Sequence, residues 1–226
     1  MRQNQDYKNA ALKALNGNWA QALVATIIVG LIVCVLNAPD TANNTLSLSG
    51  GLPIFPPYLG YGLSLIAILV LLPISAGYYN SFRVLLETGD NRITNNTFSL
   101  AFGNWMHVMA GMLVMYIYIV LWSMLFLIPG IIKAYSYAMT PYILVEHPEL
   151  SVNQAIDLSR KLMKGRKFDL FYLQLSFIGW ALLSILTLGI GMLWLMPYMG
   201  CSQAAFYADV KEDNGMANVL EAERVL

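Results

Sequence analysis

Six apolar runs punctuate this chain at residues 19–36, 58–80, 106–128, 131–145, 168–186 and 192–210, all but the short fourth near the length at which a helix crosses hydrocarbon. The first and third contain no Asp, Glu, Lys or Arg, and the fifth carries one carboxylate, Asp169, at its edge. Hydrocarbon offers no water to satisfy backbone N–H and C=O groups, so such runs must fold as helices that pair those groups internally. The spacing therefore predicts an all-α fold, a polytopic membrane helical bundle forming one integral membrane domain over residues 1–226. Composition agrees: 12% of residues are charged, against about 25% in an ordinary soluble domain.

The links between the runs pair them. Pro129-Gly130 and Thr187–Gly191 allow only tight reversals, which makes hairpins of the third and fourth runs and of the fifth and sixth. The first two runs pair across Asn37–Pro57, whose Asn, Ser, Thr, Gly and Pro content reads as an extended surface loop. A short amphipathic segment precedes each hairpin. Tyr7, Ala10, Ala11, Ala14 and Leu15 recur at helical spacing, as do Val152, Ala155, Ile156, Ser159, Leu162 and Met163 after the capping box Ser151-Val-Asn-Gln154. Phe98, Ala101 and Phe102 suggest a shorter counterpart, and Gly17, Gly103 and Gly165 end the three segments. The predicted architecture is thus six spans as three hairpins, each preceded by a short interfacial amphipathic helix.

The second member of each hairpin contains a proline: Pro73, Pro141 or Pro197. Proline leaves the carbonyl four residues earlier without its helical donor, and a neighbouring helix can supply one where lipid cannot. Spans two, four and six are therefore expected to form the inner layer. Asn80, Ser136 and Gln203 on them make a possible intramembrane polar cluster.

Orientation follows from charge. The net charge is zero, yet the 13 Lys and Arg segregate, with three in the N-terminal arm, two in Arg83–Trp105, five in Glu146–Lys167 and two from Lys211 onward. The remaining one, Lys133, lies inside the fourth run and is expected to snorkel. The alternate connections have none, which predicts a multi-pass protein of the cytoplasmic (inner) membrane with N- and C-termini cytoplasmic. The first run reads as a retained signal anchor, and the tail from Lys211 as polar and helical or frayed. Arg160, Lys161, Lys164, Arg166 and Lys167 form the densest basic cluster, a candidate site for anionic lipid headgroups at about 1 kcal/mol per charge. Membrane lipids are the expected partners and nucleic acid is not.

No motif for chemistry stands out. The chain has no His-Glu-x-x-His, Gly-x-Ser-x-Gly, glycine-rich phosphate loop or Cys-x-x-Cys, so no catalytic residue, metal site or cofactor is expected. Glu146, His147 and Glu149 read as loop surface, with His107 remote at the start of the third run. Cys34 and Cys201 lie at unmatched depths and are not expected to pair. No carboxylate sits deep in a run, which argues against proton or sodium coupling.

The stretch Ile128-Pro-Gly-Ile-Ile-Lys-Ala-Tyr-Ser-Tyr-Ala-Met-Thr-Pro-Tyr-Ile-Leu144 resembles a bacterial membrane family catalogued as domain of unknown function 975. So do Glu149-Leu-Ser151, Ala155-Ile156, Ser159-Arg160, Leu162-Met163-Lys-Gly165, Leu173-Gln-Leu-Ser-Phe-Ile-Gly-Trp180 and Leu188-Gly-Ile-Gly191, while Leu15-Asn-Gly-Asn-Trp19 resembles the family's opening. The family looks related to the membrane domain of some glycerophosphodiester phosphodiesterases, without a counterpart here of their soluble catalytic barrel. The resemblance implies no catalytic residues. The expected role is a non-catalytic envelope binding or accessory component. The alternatives are a transporter of a small solute or lipid through a cavity between the proline-interrupted helices, and a membrane-embedded enzyme.

Overall fold

The computed structural model describes residues 3–213, which contain no strand. Arg2 of the basic arm and residues 214–226 of the expected tail lie outside the described residues. In chain order the helices are α1 (Asn4–Leu15), α2 (Trp19–Leu48), α3 (Pro57–Thr88), α4 (Ile93–Gly103), α5 (Trp105–Leu125), α6 (Leu127–Ser136), α7 (Thr140–Glu146), α8 (Val152–Leu162), α9 (Lys167–Leu175), α10 (Ile178–Leu186) and α11 (Met192–Asp213). Four stretches are long and apolar enough to cross a membrane: α2, α3 from Tyr58, α5, and the α9–α10 run Lys167–Leu186. The chain is helical and built for a membrane, but several of the six expected spans are divided or extended.

The expected loop Asn37–Pro57 is mostly helix. At 30 residues, α2 is about 45 Å long, well beyond a hydrocarbon core of about 30 Å. Polar side chains hold the extension together from within. Asn37 donates to the Val33 carbonyl at 2.8 Å, Thr41 to Asn37 at 2.9 Å and Thr45 to Thr41 at 2.8 Å. Others tie it to the following segment. Asp40 accepts the Ser64 hydroxyl at 2.8 Å, and Asn43 brackets Phe55, donating to its carbonyl and accepting its N–H. These bonds outweigh the low helix propensity of Asn, Thr and Pro39, so the true loop shrinks to residues 49–56.

From the end of α3 the chain turns through Gly89, which is left-handed at φ 74°, and α4 runs back along α3. Gly77 sets the closeness of that packing, because a Cβ there would overlap the Thr97 carbonyl and Ala101. The hairpin of the third and fourth runs also departs from expectation. Its reversal falls at Phe126, whose backbone is extended (φ −157°, ψ 143°), three residues before Pro129-Gly130. Pro129 instead sits in the first turn of α6, where its missing N–H would have had no helical acceptor.

The expected span 131–145 is broken between Ser136 and Thr140. Pro141 lies in the first turn of α7 and so starts a helix instead of interrupting one. The break is held by Ser159 of α8, whose hydroxyl donates to the Ser136 carbonyl at 2.9 Å and accepts the Met139 N–H at 3.2 Å. The run 168–186 is likewise divided at Ser176-Phe177. α11 is continuous and central, packing on α1, α2, α3, α9 and α10. Pro73, Pro141 and Pro197 are all buried, as the inner-layer argument requires.

The amphipathic helices form, but protein covers their apolar faces. Tyr7, Ala11 and Leu15 of α1 are buried, with α11 as the main neighbour. The capping box of α8 is present, Ser151 N–H donating to Gln154 Oε1 at 2.8 Å. Ala155, Ile156, Ser159, Leu162 and Met163 are buried, with α7 and α5 packed on that helix. Gly17 and Gly165 end their helices in left-handed geometry, at φ 81° and 84°, whereas Gly103 does not.

Candidate functional site

Two ionic clusters and one basic bowl hold most of the described charge. The first cluster centres on Arg166, which the sequence places among the headgroup candidates. Its guanidinium is buried, donating to Asp209 at 2.6 Å, to Asp169 at 2.8 Å and to the Tyr7 hydroxyl at 3.0 Å, with Asp213 as a further partner. Tyr7 in turn donates to Asp209 at 2.7 Å. Burial alone would lower the Arg166 pKa, but Asp209, Tyr7 and Asp169 outweigh it and raise the value. Burial and the Asp209 carboxylate hold the Tyr7 phenol well above its ordinary range, so it stays protonated as a donor. Arg166 is therefore withdrawn from the headgroup set, because four protein partners already use its fork of donors.

The second cluster joins the ends of α3, α7 and α11. Glu146 accepts the Tyr207 hydroxyl at 2.6 Å, pairs with Lys211, and lies 3.6 Å from Arg83. Arg83 also pairs with Glu87 at 2.7 Å and donates to Asn80 at 3.0 Å. Burial pushes the Glu146 carboxyl up, but Lys211, Tyr207 and Arg83 together hold it below the ordinary value. His147 pairs with Glu149 at 3.0 Å, so the residues singled out as a loop cluster are engaged in separate contacts. Among the described residues no group of three or more His, Cys, Asp or Glu could hold a metal ion.

The bowl is a cavity of about 440 Å³ lined by Lys133, Ser136, Gln154, Asp157, Arg160, Lys161, Lys164 and Lys167. Helix α8 presents Gln154, Asp157, Arg160 and Lys161 on the face opposite its buried one, α6 contributes Lys133 and Ser136, and the chain leading into α9 adds Lys164 and Lys167. Asp157 is the one carboxylate among eight lining side chains, and it pairs with Arg160 at 2.5 Å. Four of the five sequence candidates are thus brought together. Lys133 is the addition that sequence reasoning missed. Its signal was present, since it is the lone cation of its apolar run, but its partners arrive only through the fold. Its Nζ stands 4.3 Å from the centre of the Trp122 ring, a cation–π contact that holds the side chain over α5.

Asn80, Ser136 and Gln203 do not converge. Asn80 is buried and donates to the Pro141 and Ala76 carbonyls, each at 2.9 Å. Ser136 lines the bowl, and Gln203 lines a separate cleft of about 520 Å³ with Thr26, Ser75, Tyr78 and Gln174 among mostly apolar neighbours. Cys34 is exposed in that cleft and Cys201 is buried, both as free thiols.

A family model described as a protein of unknown function (DUF975) matches residues 59–214. The chain belongs to this family. The match runs from within α3 to the end of α11, so the DUF975 region holds both ionic clusters' α7, α9 and α11 members and the whole bowl, and α1 and α2 precede it. No curated protein and no solved structure matches the chain.

Proposed function

We propose that this DUF975 protein is a binding or accessory component of the cytoplasmic membrane, with both termini on the cytoplasmic side and anionic lipid as its partner. The observation that carries the reading is the Arg166 cluster. It joins α1, the α8–α9 link and the end of α11, segments whose Lys and Arg content independently assigns each to the cytoplasm. The Glu146 cluster adds the end of α3 to the same group. Ionisable side chains that a membrane enzyme would use for proton transfer are here spent on one another, which favours a scaffold with a binding surface.

Of the six crossings, the α2–α3 pair is the firmest, since both helices exceed the bilayer core in length. The α5–α6 hairpin fits a full crossing poorly. In a six-span arrangement Tyr135 would lie near the outer face and Phe171 near the inner one. Yet the Tyr135 hydroxyl donates to Gln174 at 2.8 Å, and its ring centre is 5.9 Å from that of Phe171.

Single cysteines at Ser47 and Lys13, in a chain lacking the native thiols, test the orientation with an impermeant maleimide on intact cells. Labelling at Ser47 and protection at Lys13 are expected; the reverse would sink the proposal. A second reading, carriage of an amphiphile, rests on the cleft that places Gln174 and Gln203 among apolar side chains. A lipid co-purifying there, and lost in Gln203→Leu, would favour it.

A further inference from the structure

In a six-span arrangement Lys133 would stand near the outer end of the fourth run and Lys167 at the inner start of the fifth, yet they line one cavity. The tip of the α5–α6 hairpin is therefore close to the bowl. Along α6 the rise from Lys133 to Phe126 is about 10 Å. Everything at that tip is apolar and uncovered: Met124, Leu125, Phe126, Leu127 and Ile128 are between 64 and 79% exposed. An apolar projection of that height beside a cationic surface matches the depth, roughly 5–10 Å, to which interfacial elements sink below the headgroups. Five cations face the bowl with one carboxylate among them, so like charges repel across it and a phosphate anion would be attracted there.

We propose that the bowl binds the phosphate of an anionic phospholipid, and that the α5–α6 tip enters the hydrocarbon of the same leaflet. The apolar tip is what selects a lipid over a soluble phosphate. Lys133, held over Trp122 at the base of the hairpin, reaches the headgroup from the membrane side. Arg160, Lys161, Lys164 and Lys167 reach it from the other. This site rests on the membrane-component reading above and gives it a ligand class.

The test uses full-length protein extracted in a mild detergent, with bound lipid counted by native mass spectrometry. Phosphatidylglycerol, phosphatidylcholine and glycerol 3-phosphate are the probes. Phosphatidylglycerol is expected to bind, and the other two to bind at least tenfold more weakly. At about fivefold per lysine at low salt, the triple variant Lys133→Gln/Lys164→Gln/Lys167→Gln should lose roughly a hundredfold in affinity. Lys13→Gln, outside the bowl, should lose none. Equal binding of phosphatidylcholine, or a triple variant that keeps its affinity, overturns the site. Glycerol 3-phosphate binding as tightly as the lipid overturns the lipid assignment. A nitroxide on Phe126→Cys should be reached by lipid-soluble oxygen and shielded from a water-soluble relaxant, and the opposite pattern removes the tip from the membrane. Carbonate extraction separates the two levels. Protein released by carbonate refutes the membrane reading itself, whereas retained protein without lipid preference refutes the site alone.

Discussion

The indole N–H of Trp105 donates to the backbone carbonyl of Leu69 at 3.2 Å. Leu69 lies four residues before Pro73, so this is the acceptor that the proline leaves without a helical donor. A residue at the start of α5 thus repairs a defect in α3, and the repair also fixes how α5 sits against it. Trp105→Phe is expected to cost about 1 kcal/mol in thermal unfolding of the detergent-solubilised protein. In a Pro73→Ala background, residue 73 regains an N–H for Leu69, and the same Trp105→Phe change should become nearly neutral. Equal costs in both backgrounds would show that the indole contributes through packing and not through this bond.

The Arg166 cluster yields a second prediction, because it separates a structural arginine from its basic neighbours. Asp209→Ala leaves a guanidinium that is 5% exposed without its most buried carboxylate partner. A loss of about 3–5 kcal/mol, or failure to accumulate, is expected. Arg166→Gln should also reduce stability, while leaving the preference for anionic lipid unchanged in whatever folded protein is recovered. A fall in lipid affinity at wild-type stability would return Arg166 to the headgroup set.

How far these sites were legible in the sequence depends on the range of the interaction. The Ser151–Gln154 capping box and the stop at Gly165 are local, and both stand where residue type and spacing put them. The burial of Pro73 and Pro197 was also readable, since a carbonyl freed inside a helix needs a partner wherever the helix lies, whereas Pro141, buried as well, opens α7 and frees none. The helical course of residues 37–48 was not, because it depends on Asp40 meeting Ser64 and Asn43 meeting Phe55. Likewise, counting charges groups Arg166 with Lys164 and Lys167. Only the tertiary arrival of Asp209 and Tyr7 takes it out of that set and leaves the lysines facing the bowl.

Acid should loosen the second cluster. The Glu146 carboxyl is held below its ordinary value of 4.5, so the stability it contributes is complete above that value and is lost as pH falls through the lower folded one. Unfolding temperature measured from pH 6 downward should therefore drop more steeply in the wild type than in Glu146→Gln, which is less stable at pH 6 but lacks this protonation. Parallel curves for the two proteins would show that the carboxylate is not coupled to folding through Lys211, Tyr207 and Arg83.

Ser159 connects the fold to the bowl. Its hydroxyl spans the break between α6 and α7, from the Met139 N–H to the Ser136 carbonyl, while the next residue, Arg160, lines the cavity. The same bridge fixes the height of α6 against α8, and with it the position of Lys133 relative to Arg160. Ser159→Ala removes about one methyl-sized polar group yet leaves the Met139 amide without this acceptor, at a cost of about 1–3 kcal/mol. Ser159→Thr keeps the hydroxyl and should restore most of the loss if its added methyl is accommodated. Hydrogen exchange at the Met139 amide is the direct readout, with faster exchange expected in Ser159→Ala. Because the break positions Lys133, that variant should also weaken anionic lipid binding by several-fold with every basic residue intact. Unchanged exchange at Met139 would mean that the break is held by its own backbone, and the serine would then have no part in placing α6.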